Sequence, residues 1–181
     1  MKRVFIIHGW QGRPKDGWRP WLRKELEKRK FSVSVPAMPD TEHPKMDAWV
    51  SHLSDTVGVP DEGCYFVGHS LGCIAILRYF ETLSMRVGGT VLVAGFADNL
   101  RIKELSTFFT KPVDWDKIKS VCKKFTAIHS DDDPYVPLRN GDIFEKNLDA
   151  KIVVENGMKH FSGDDGIFNL PSALKAVLDM T

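Results

Sequence analysis

The chain has 181 residues, of which 43 % are apolar and 27 % charged, and its net charge is +1. This composition is typical of a soluble globular protein, and the length fits a single domain over residues 1–181. A net charge so close to zero gives no reason to expect a nucleic acid or an anionic membrane as partner.

The cysteines and the N-terminus point to a cytoplasmic protein. Cys64, Cys73 and Cys122 are widely spaced and lie in or beside apolar runs, so we expect reduced, buried thiols. The first ten residues contain an apolar run of only four residues, which is too short for a signal peptide. No stretch approaches the roughly 20 apolar residues of a membrane span.

Six short runs rich in apolar, β-branched and aromatic residues predict strands, and they occur at 4–8, 31–35, 64–69, 90–95, 125–129 and 151–155. Helical patterns occur at 18–30, 48–57, 71–83, 136–148 and 170–178. Strands that alternate with helices predict an α/β fold, a three-layer sandwich in which helices cover both faces of a mostly parallel sheet. Strands buried on both faces need not alternate, which agrees with their nearly continuous apolar character.

Residues 97–117 interrupt this alternation between the fourth and fifth strands. The segment is longer than a typical connection, and its aromatic residues, Phe108, Phe109 and Trp115, look exposed in the sequence pattern. It is either an ordinary crossover helix with a loop or a small cap that shapes a substrate pocket, and both descriptions can hold at once.

The pentapeptide Gly68-His69-Ser70-Leu71-Gly72 lies between the third predicted strand and the following helix. It fits G-x-S-x-G, in which a sharp strand-to-helix turn holds the serine in a strained, exposed conformation. Side chains two residues before and after the serine would collide in so tight a turn, so glycine is needed at both positions. We predict Ser70 as a nucleophile and the N–H of Leu71 as a donor to an oxyanion. The alternative is a helix N-cap serine.

A serine nucleophile needs an oriented base, and in this arrangement the chain order is serine, acid, histidine. Of the six histidines, only His160 follows both an acidic cluster and the last predicted strand, in a loop bracketed by Gly157 and Gly163. The other five are His8, His43, His52, His69 and His129. His160 is therefore the predicted base, with a surface loop histidine as the alternative.

The acid is expected after the fifth strand, where the sequence offers Asp131, Asp132 and Asp133. We predict Asp133, because Pro134 fixes the turn just after its carboxylate, and Asp131 is the next candidate. The two aspartates that are not used are expected to lie in a solvated acidic loop that caps the helix starting near Pro137.

The turn after the first strand, HGWQGR at 8–13, directs backbone N–H groups to the same edge of the sheet. The N–H of Trp10 is the predicted second oxyanion donor. A dinucleotide-binding loop would need G-x-G-x-x-G, which this turn does not supply, and no Walker lysine motif is present. We therefore expect no organic cofactor and no metal, and a small-molecule acyl substrate as the partner.

Taken together, these residues resemble the α/β-hydrolase superfamily, and more closely the small serine hydrolases that include retinoblastoma-binding protein 9 and YdeN-like proteins. The similarity runs essentially end to end. Its anchors are HGW at 8–10, VGHSLG at 67–72, FFTKPVDWDKIK at 108–119, SDDDPYVP at 130–137 and GMKHF at 157–161. The Leu-x-Cys-x-Glu sequence associated with retinoblastoma-protein binding is absent, so that interaction is not carried over.

The resemblance implies a compact six-stranded sheet, a triad of Ser70, Asp133 and His160, and esterase-like or peptidase-like hydrolysis. The function expected is that of a serine hydrolase acting on small esters, thioesters or activated amides through an acyl-enzyme, with water or another acyl acceptor. The alternative is a catalytically weak protein on the same fold that acts as an interaction module, with the aromatic segment 108–115 as its partner surface.

Overall fold

The computed structural model describes residues 1–181, and its elements follow the predicted order. The strands are β1 (Arg3–Ile7), β2 (Ser32–Ser34), β3 (Cys64–His69), β4 (Gly89–Val93), β5 (Phe125–Ser130) and β6 (Lys151–Glu155). The α-helices are α1 (Arg19–Glu27), α2 (Met46–Val57), α3 (Leu71–Phe80), α4 (Trp115–Val121), α5 (Arg139–Leu148) and α6 (Pro171–Met180). A 3₁₀ helix at Lys103–Phe109 precedes α4.

The six strands form one sheet in the order β2-β1-β3-β4-β5-β6, and every neighbouring pair is parallel. Parallel strands all end at the same edge of the sheet, so the loops that follow β1, β3, β5 and β6 can meet there. The sheet confirms the predicted parallel α/β architecture and fixes the edge at which the candidate residues lie.

Both faces of the sheet are covered, as predicted. One core contains side chains of α2, α3, α4 and α5, and the other contains those of α1 and α6. Alternate residues of β1 enter the two cores, Phe5 and Ile7 on one side and Val4 and Ile6 on the other. The four central strands, β1, β3, β4 and β5, are therefore largely apolar because both of their faces are buried, whereas the edge strands β2 and β6 are partly exposed.

The segment 97–117 differs from its sequence expectation in the burial of its aromatic residues. Phe108 is fully buried, and Phe109 and Trp115 are partly buried against the core, so the expected exposure of these aromatics is wrong. Phe108 packs edge-to-face on Trp49 of α2, with ring centroids 5.8 Å apart. The crossover helix that the sequence allowed here is α4, which has seven residues and begins at Trp115.

Arg78, a buried residue of α3, fastens this segment to the rest of the fold. Its guanidinium forms an ion pair with Glu81 at 2.7 Å. It also donates to the carbonyl oxygens of Phe108, Lys111 and Pro112. A buried guanidinium needs such partners, because an unpaired one would be costly. Arg78 thus ties this segment to α3 at three backbone positions.

The three cysteines are buried and free, as expected. Burial raises the pKa of the Cys73 thiol and raises that of Cys122 to about 11. No helix of the structure combines the length and the apolar character needed to cross a membrane.

His129, near the end of β5, is a buried histidine without a hydrogen-bond partner on either ring nitrogen. Its ring lies against Phe144 of α5, with centroids 6.2 Å apart. Burial lowers its pKa from 6.5 to about 4. The unfolded chain takes up the proton first as the pH falls, so the folded protein loses stability between about pH 6.5 and pH 4.

We predict that the substitution His129→Leu removes this loss. At pH 7 the free energy of unfolding should equal or exceed that of the wild type, because an unpartnered polar group is replaced by an apolar one of similar volume. The advantage should grow by about 2–3 kcal/mol on acidification to about pH 4.5, since one pKa unit corresponds to about 1.36 kcal/mol. Urea unfolding at the two pH values measures it, and an advantage that does not grow in acid contradicts the prediction.

Candidate active site

Ser70 forms the turn between β3 and α3 with a φ of 54° and a ψ of −120°, a conformation that residues other than glycine rarely adopt. Its N–H donates to the carbonyl oxygen of Val93 at 2.9 Å, and its own carbonyl accepts the N–H of Cys73 at 3.0 Å. These bonds tie the turn to the end of β4 and to the first turn of α3. A positive φ of this kind persists only where the surrounding structure holds it.

The glycines on either side of Ser70 are required for two different reasons. A Cβ at Gly68 would lie 2.8 Å from the backbone of Cys73, so this glycine lets α3 fold back onto β3. A Cβ at Gly72 would overlap the carbonyl oxygen of Ile7 and lie 2.7 Å from that of His8, so this glycine lets α3 approach the end of β1.

The structure brings the three predicted side chains together at the carboxyl edge of the sheet. Ser70 Oγ lies 3.0 Å from Nε2 of His160, and Nδ1 of His160 lies 2.9 Å from Oδ2 of Asp133. A carboxylate only accepts hydrogen bonds, so Nδ1 carries the proton of the neutral ring and Nε2 is left as an acceptor for the serine hydroxyl. This arrangement can remove a proton from Ser70.

The carboxylate of Asp133 is fixed by its own loop. Its side chain is only 1 % exposed, and its second oxygen, Oδ1, accepts the backbone N–H groups of Tyr135 and Val136 at 2.8 and 3.0 Å. The remaining oxygen faces His160. The backbone turn after Pro134 therefore sets the direction of the hydrogen bond to the imidazole.

The loop that carries His160 is strained and extensively bonded. The residues on both sides of the histidine, Lys159 and Phe161, have positive φ values of 48° and 56°. Four side chains accept backbone N–H groups of this loop. They are Asp131 for Gly157, Ser130 for Met158, Asp132 for Lys159, and Asp165 for both His160 and Ser162. The imidazole is thus presented by a backbone with little freedom to move.

Asp131 and Asp132 are exposed, as expected, but they do not cap a helix. Their carboxylates bind the loop of His160 instead, at 2.9 Å from the N–H of Gly157 and 2.8 Å from that of Lys159. The hydrogen bond from the hydroxyl of Ser130, together with that from Lys159, lowers the pKa of Asp132. Helix α5 begins only at Arg139, too far along the chain for these side chains to reach its first N–H groups.

The two predicted oxyanion donors lie beside Ser70. Leu71 is the first residue of α3, so its N–H has no acceptor within the helix. A Cβ at Gly9 would lie 2.9 Å from Cβ of Ser70, so the turn that contains Trp10 touches the serine. The backbone N–H of Trp10 makes no hydrogen bond within the chain.

His8 sets the direction of the peptide between Gly9 and Trp10. Its Nδ1 lies 2.9 Å from the carbonyl oxygen of Gly9, which also accepts the N–H of Gly12 at 3.1 Å. The carbonyl and the N–H of one trans peptide point in opposite directions. The N–H of Trp10 therefore points away from His8, on the side of the peptide that remains free.

Two further residues of the site were not singled out in the sequence. Nε2 of His69 lies 2.8 Å from the carbonyl oxygen of His160, and its Nδ1 lies 3.5 Å from Nη1 of Arg19. Burial lowers the pKa of His69 well below 6.5, and repulsion from the neighbouring ring of His160 when it is protonated, and from the guanidinium of Arg19, lowers this pKa further. Burial likewise lowers the pKa of Arg19 to about 10. A lone arginine in a helical pattern gives no sequence signal for such a contact.

A cavity of about 800 Å³ opens over Ser70 and His160. One part of its wall is apolar and includes Phe96, Leu100, Ile102 and Leu105 from the start of the segment 97–117 and just before it. Another part is formed by the polar, charged and glycine residues at 11–13, 15–17, 19 and 162–165. The segment 97–117 is therefore both a crossover, which leads into α4, and a wall of the cavity.

Two aromatic side chains stand exposed at the cavity. Tyr135 is 65 % exposed and Phe168 is 61 % exposed, and both line the cavity. The ring of Tyr135 lies edge-to-face on His160 with centroids 5.2 Å apart. Trp18, by contrast, is fully buried in the core, and Trp10 is partly buried at the cavity. No group of three or more His, Cys, Asp or Glu side chains is arranged to hold a metal ion.

Comparison with known proteins places these features in a family. The family model described as serine hydrolase matches residues 4–179. YdeN of Bacillus subtilis (strain 168) is 35 % identical over 173 residues, which cover 94 % of this chain and 91 % of YdeN. The serine hydrolase RBBP9 of Rattus norvegicus is 31 % identical over 152 residues, which cover 82 % of this chain and 80 % of that protein.

Solved structures support the same assignment of the fold. The crystal structure of the ydeN gene product from B. subtilis matches with a TM-score of 0.95 at 33 % identity, covering 99 % of this chain and 98 % of that one. Est1E from Butyrivibrio proteoclasticus matches with a TM-score of 0.76 at 16 % identity, covering 99 % and 86 %. The predicted α/β-hydrolase fold is confirmed.

The role of Gly72 leads to a stability prediction. Gly72→Ala should destabilise the protein by roughly 1–3 kcal/mol, because the added methyl group overlaps the backbone of β1 in a well-packed core. Gly141→Ala, a matched change at a buried position of α5 where the new Cβ would meet side chains only, the ring of His129 at 3.3 Å and Cγ2 of Ile152 at 3.7 Å, should cost much less, since alanine favours a helix. Urea unfolding of both variants checks this, and equal stabilities would contradict it.

Proposed function

The chain belongs to the serine hydrolase family, and on that basis we propose that it is a carboxylesterase-like enzyme working through an acyl-enzyme on Ser70. The observation that carries the proposal is the unbroken line of contacts from Ser70 Oγ to His160 at 3.0 Å and from His160 to Asp133 at 2.9 Å. Ser70, at the start of this line, lies in a cavity large enough for a small ester.

In the proposed reaction, Oγ of Ser70 attacks the acyl carbonyl carbon while Nε2 of His160 takes the hydroxyl proton. Collapse of the tetrahedral intermediate breaks the bond to the leaving group, which receives that proton from His160. Water then attacks the acyl-enzyme by the same steps and releases the acid and free Ser70. Asp133 holds the ring with its proton on Nδ1 and stabilises the imidazolium that forms in each half-reaction.

The N–H groups of Trp10 and Leu71 are the proposed donors to the oxyanion. Both belong to turns beside Ser70, and neither has an acceptor of its own in the chain or helix. Donors that are already aligned stabilise the developing charge without reorganisation, and removing one such donor costs roughly 10²–10³ in kcat. The bond from His8 to the carbonyl of Gly9 supports this role, because it keeps the first donor aligned.

The cavity supports a substrate with an apolar acyl group and a more polar remainder. Phe96, Leu100, Ile102 and Leu105 offer the acyl group an apolar wall, while residues 11–13, 15–17, 19 and 162–165 form the polar part. We propose small or short-chain acyl esters, with thioesters and activated amides as the related classes to be compared. Water is the proposed acyl acceptor.

The alternative of an interaction module has less support. Its partner surface would be the aromatic segment 108–115, yet Phe108 is fully buried, and Phe109 and Trp115 are partly buried against the core. The segment therefore presents little apolar area to a partner. A tightly built hydrogen-bonded line at Ser70 also has no use in a protein that only binds others.

We predict that Ser70→Ala abolishes the hydrolysis of p-nitrophenyl acetate, since losing a triad serine costs on the order of 10⁶ in kcat. The matched control is Ser51→Ala, at an exposed serine of α2, which should keep the wild-type rate. Initial rates of p-nitrophenol release, measured on folded variants, decide the matter. A Ser70→Ala variant that retains more than a small fraction of the wild-type activity would eliminate the proposed mechanism.

The same assay can define the substrate class. Acetyl, butyryl and octanoyl esters of one phenol, with a matched thioester and anilide, separate acyl length from the type of bond. Under the proposal, kcat/KM is highest for a short acyl ester and falls for the anilide, whose leaving group is the poorest. A preference for the anilide would move the proposal towards peptidase-like chemistry.

A further inference from the structure

His69 lies between the two elements that must be aligned at the site. It is the last residue of β3, directly before Ser70, and it is buried. Its Nε2 lies 2.8 Å from the carbonyl oxygen of His160, a residue 91 positions away in the chain. A carbonyl oxygen only accepts, so Nε2 of His69 must carry a proton.

The contact at the other ring nitrogen, Nδ1, requires the same tautomer of His69. Nδ1 lies 3.5 Å from Nη1 of Arg19, and a guanidinium only donates. Nδ1 is therefore the acceptor, and the ring is neutral with its single proton on Nε2. A second proton would face both the guanidinium and the neighbouring ring of His160, whose centroid is 5.1 Å away, so His69 remains neutral while His160 takes up and releases a proton.

The bond from His69 completes the support of a strained loop. Phe161, the next residue, has a positive φ of 56°, and its carbonyl accepts a hydrogen bond from Nε1 of Trp18 at 3.0 Å. Asp132 and Asp165 hold N–H groups of the same loop. Among these supports, only His69 is adjacent in the chain to Ser70, whose hydroxyl must meet the imidazole of His160.

We propose that His69 is a positioning residue, whose hydrogen bond from Nε2 to the carbonyl oxygen of His160 couples the base to the turn that carries Ser70. This rests on the proposed function of the site. Because His69 and Ser70 are adjacent, a shift of the turn carries the donor with it, and the distance from Oγ to Nε2 is preserved. Such coupling matters, since a misplacement of about 1 Å can cost roughly 100-fold in rate.

The first test compares two substitutions at one position. His69→Leu removes the donor and should lower kcat for p-nitrophenyl acetate by at least about 10-fold with little change in KM. His69→Gln keeps an N–H donor near the place of Nε2 and an acceptor for Arg19, and should stay within about threefold of the wild type. His129→Leu, a matched change at a buried histidine without hydrogen bonds, should leave the rate unchanged.

The second test asks whether His69 acts through His160. In a His160→Ala background the base is gone, so adding His69→Leu should change the residual rate by less than about twofold, because residues that act as a unit are not additive. If the two substitutions lower the rate independently, so that their fold losses multiply, then His69→Leu acts through a general structural effect and not through His160. That result, or a folded His69→Leu variant with the wild-type rate, overturns the proposal.

A measurement on the unaltered protein covers the case in which His69→Leu does not fold. Nitrogen-15 NMR of the histidine rings should show His69 as neutral, protonated at Nε2, from about pH 5 to 8, with a slowly exchanging ring proton. A ring protonated at Nδ1, or one that titrates in this range, refutes the proposal. An inactive wild type would instead refute the proposed function, and this NMR signature is independent of turnover.

Discussion

The structure depends on the close approach of α3 to the ends of β1 and β3, which forces a positive φ on Ser70. That approach is possible only because Gly68 and Gly72 have no side chains, and the would-be Cβ atoms meet backbone atoms rather than adjustable side chains. The serine hydroxyl is consequently held at the carboxyl edge of the sheet, beside two backbone turns with free N–H groups. The other parts of the site are arranged around this fixed point.

The imidazole is held at that point by hydrogen bonds to its loop and by the burial of Phe161, the next residue. Its loop has a positive φ on either side of His160, a conformation that costs energy and needs compensation from its surroundings. Ser130, Asp131, Asp132 and Asp165 supply acceptors for the N–H groups, while His69 and Trp18 donate to the carbonyls. In the proposed function, the ring of His160 exchanges protons with Ser70 while its neighbour His69 stays neutral.

Much of this could be predicted from the sequence, because the informative patterns are local. The order of strands and helices follows from apolar runs, and Ser70, Asp133 and His160 stand in short motifs whose chain order is diagnostic. The contacts that were missed join distant positions: His69 is 91 residues from His160 and 50 from Arg19. The burial of Phe108 was missed for a similar reason, since it depends on Trp49 in another helix. A single sequence carries no pattern for such pairs.

The central claim, that an activated serine is surrounded by a base and two oxyanion donors, is tested most directly by a crystal structure after reaction with an alkyl fluorophosphonate. The account predicts a phosphorus atom bonded to Oγ of Ser70, with the phosphoryl oxygen about 2.7–3.1 Å from the backbone nitrogens of Trp10 and Leu71. The ring of His160 should remain beside the adduct, still bonded to Asp133. An unmodified Ser70, or a phosphoryl oxygen directed into solvent, would contradict the account.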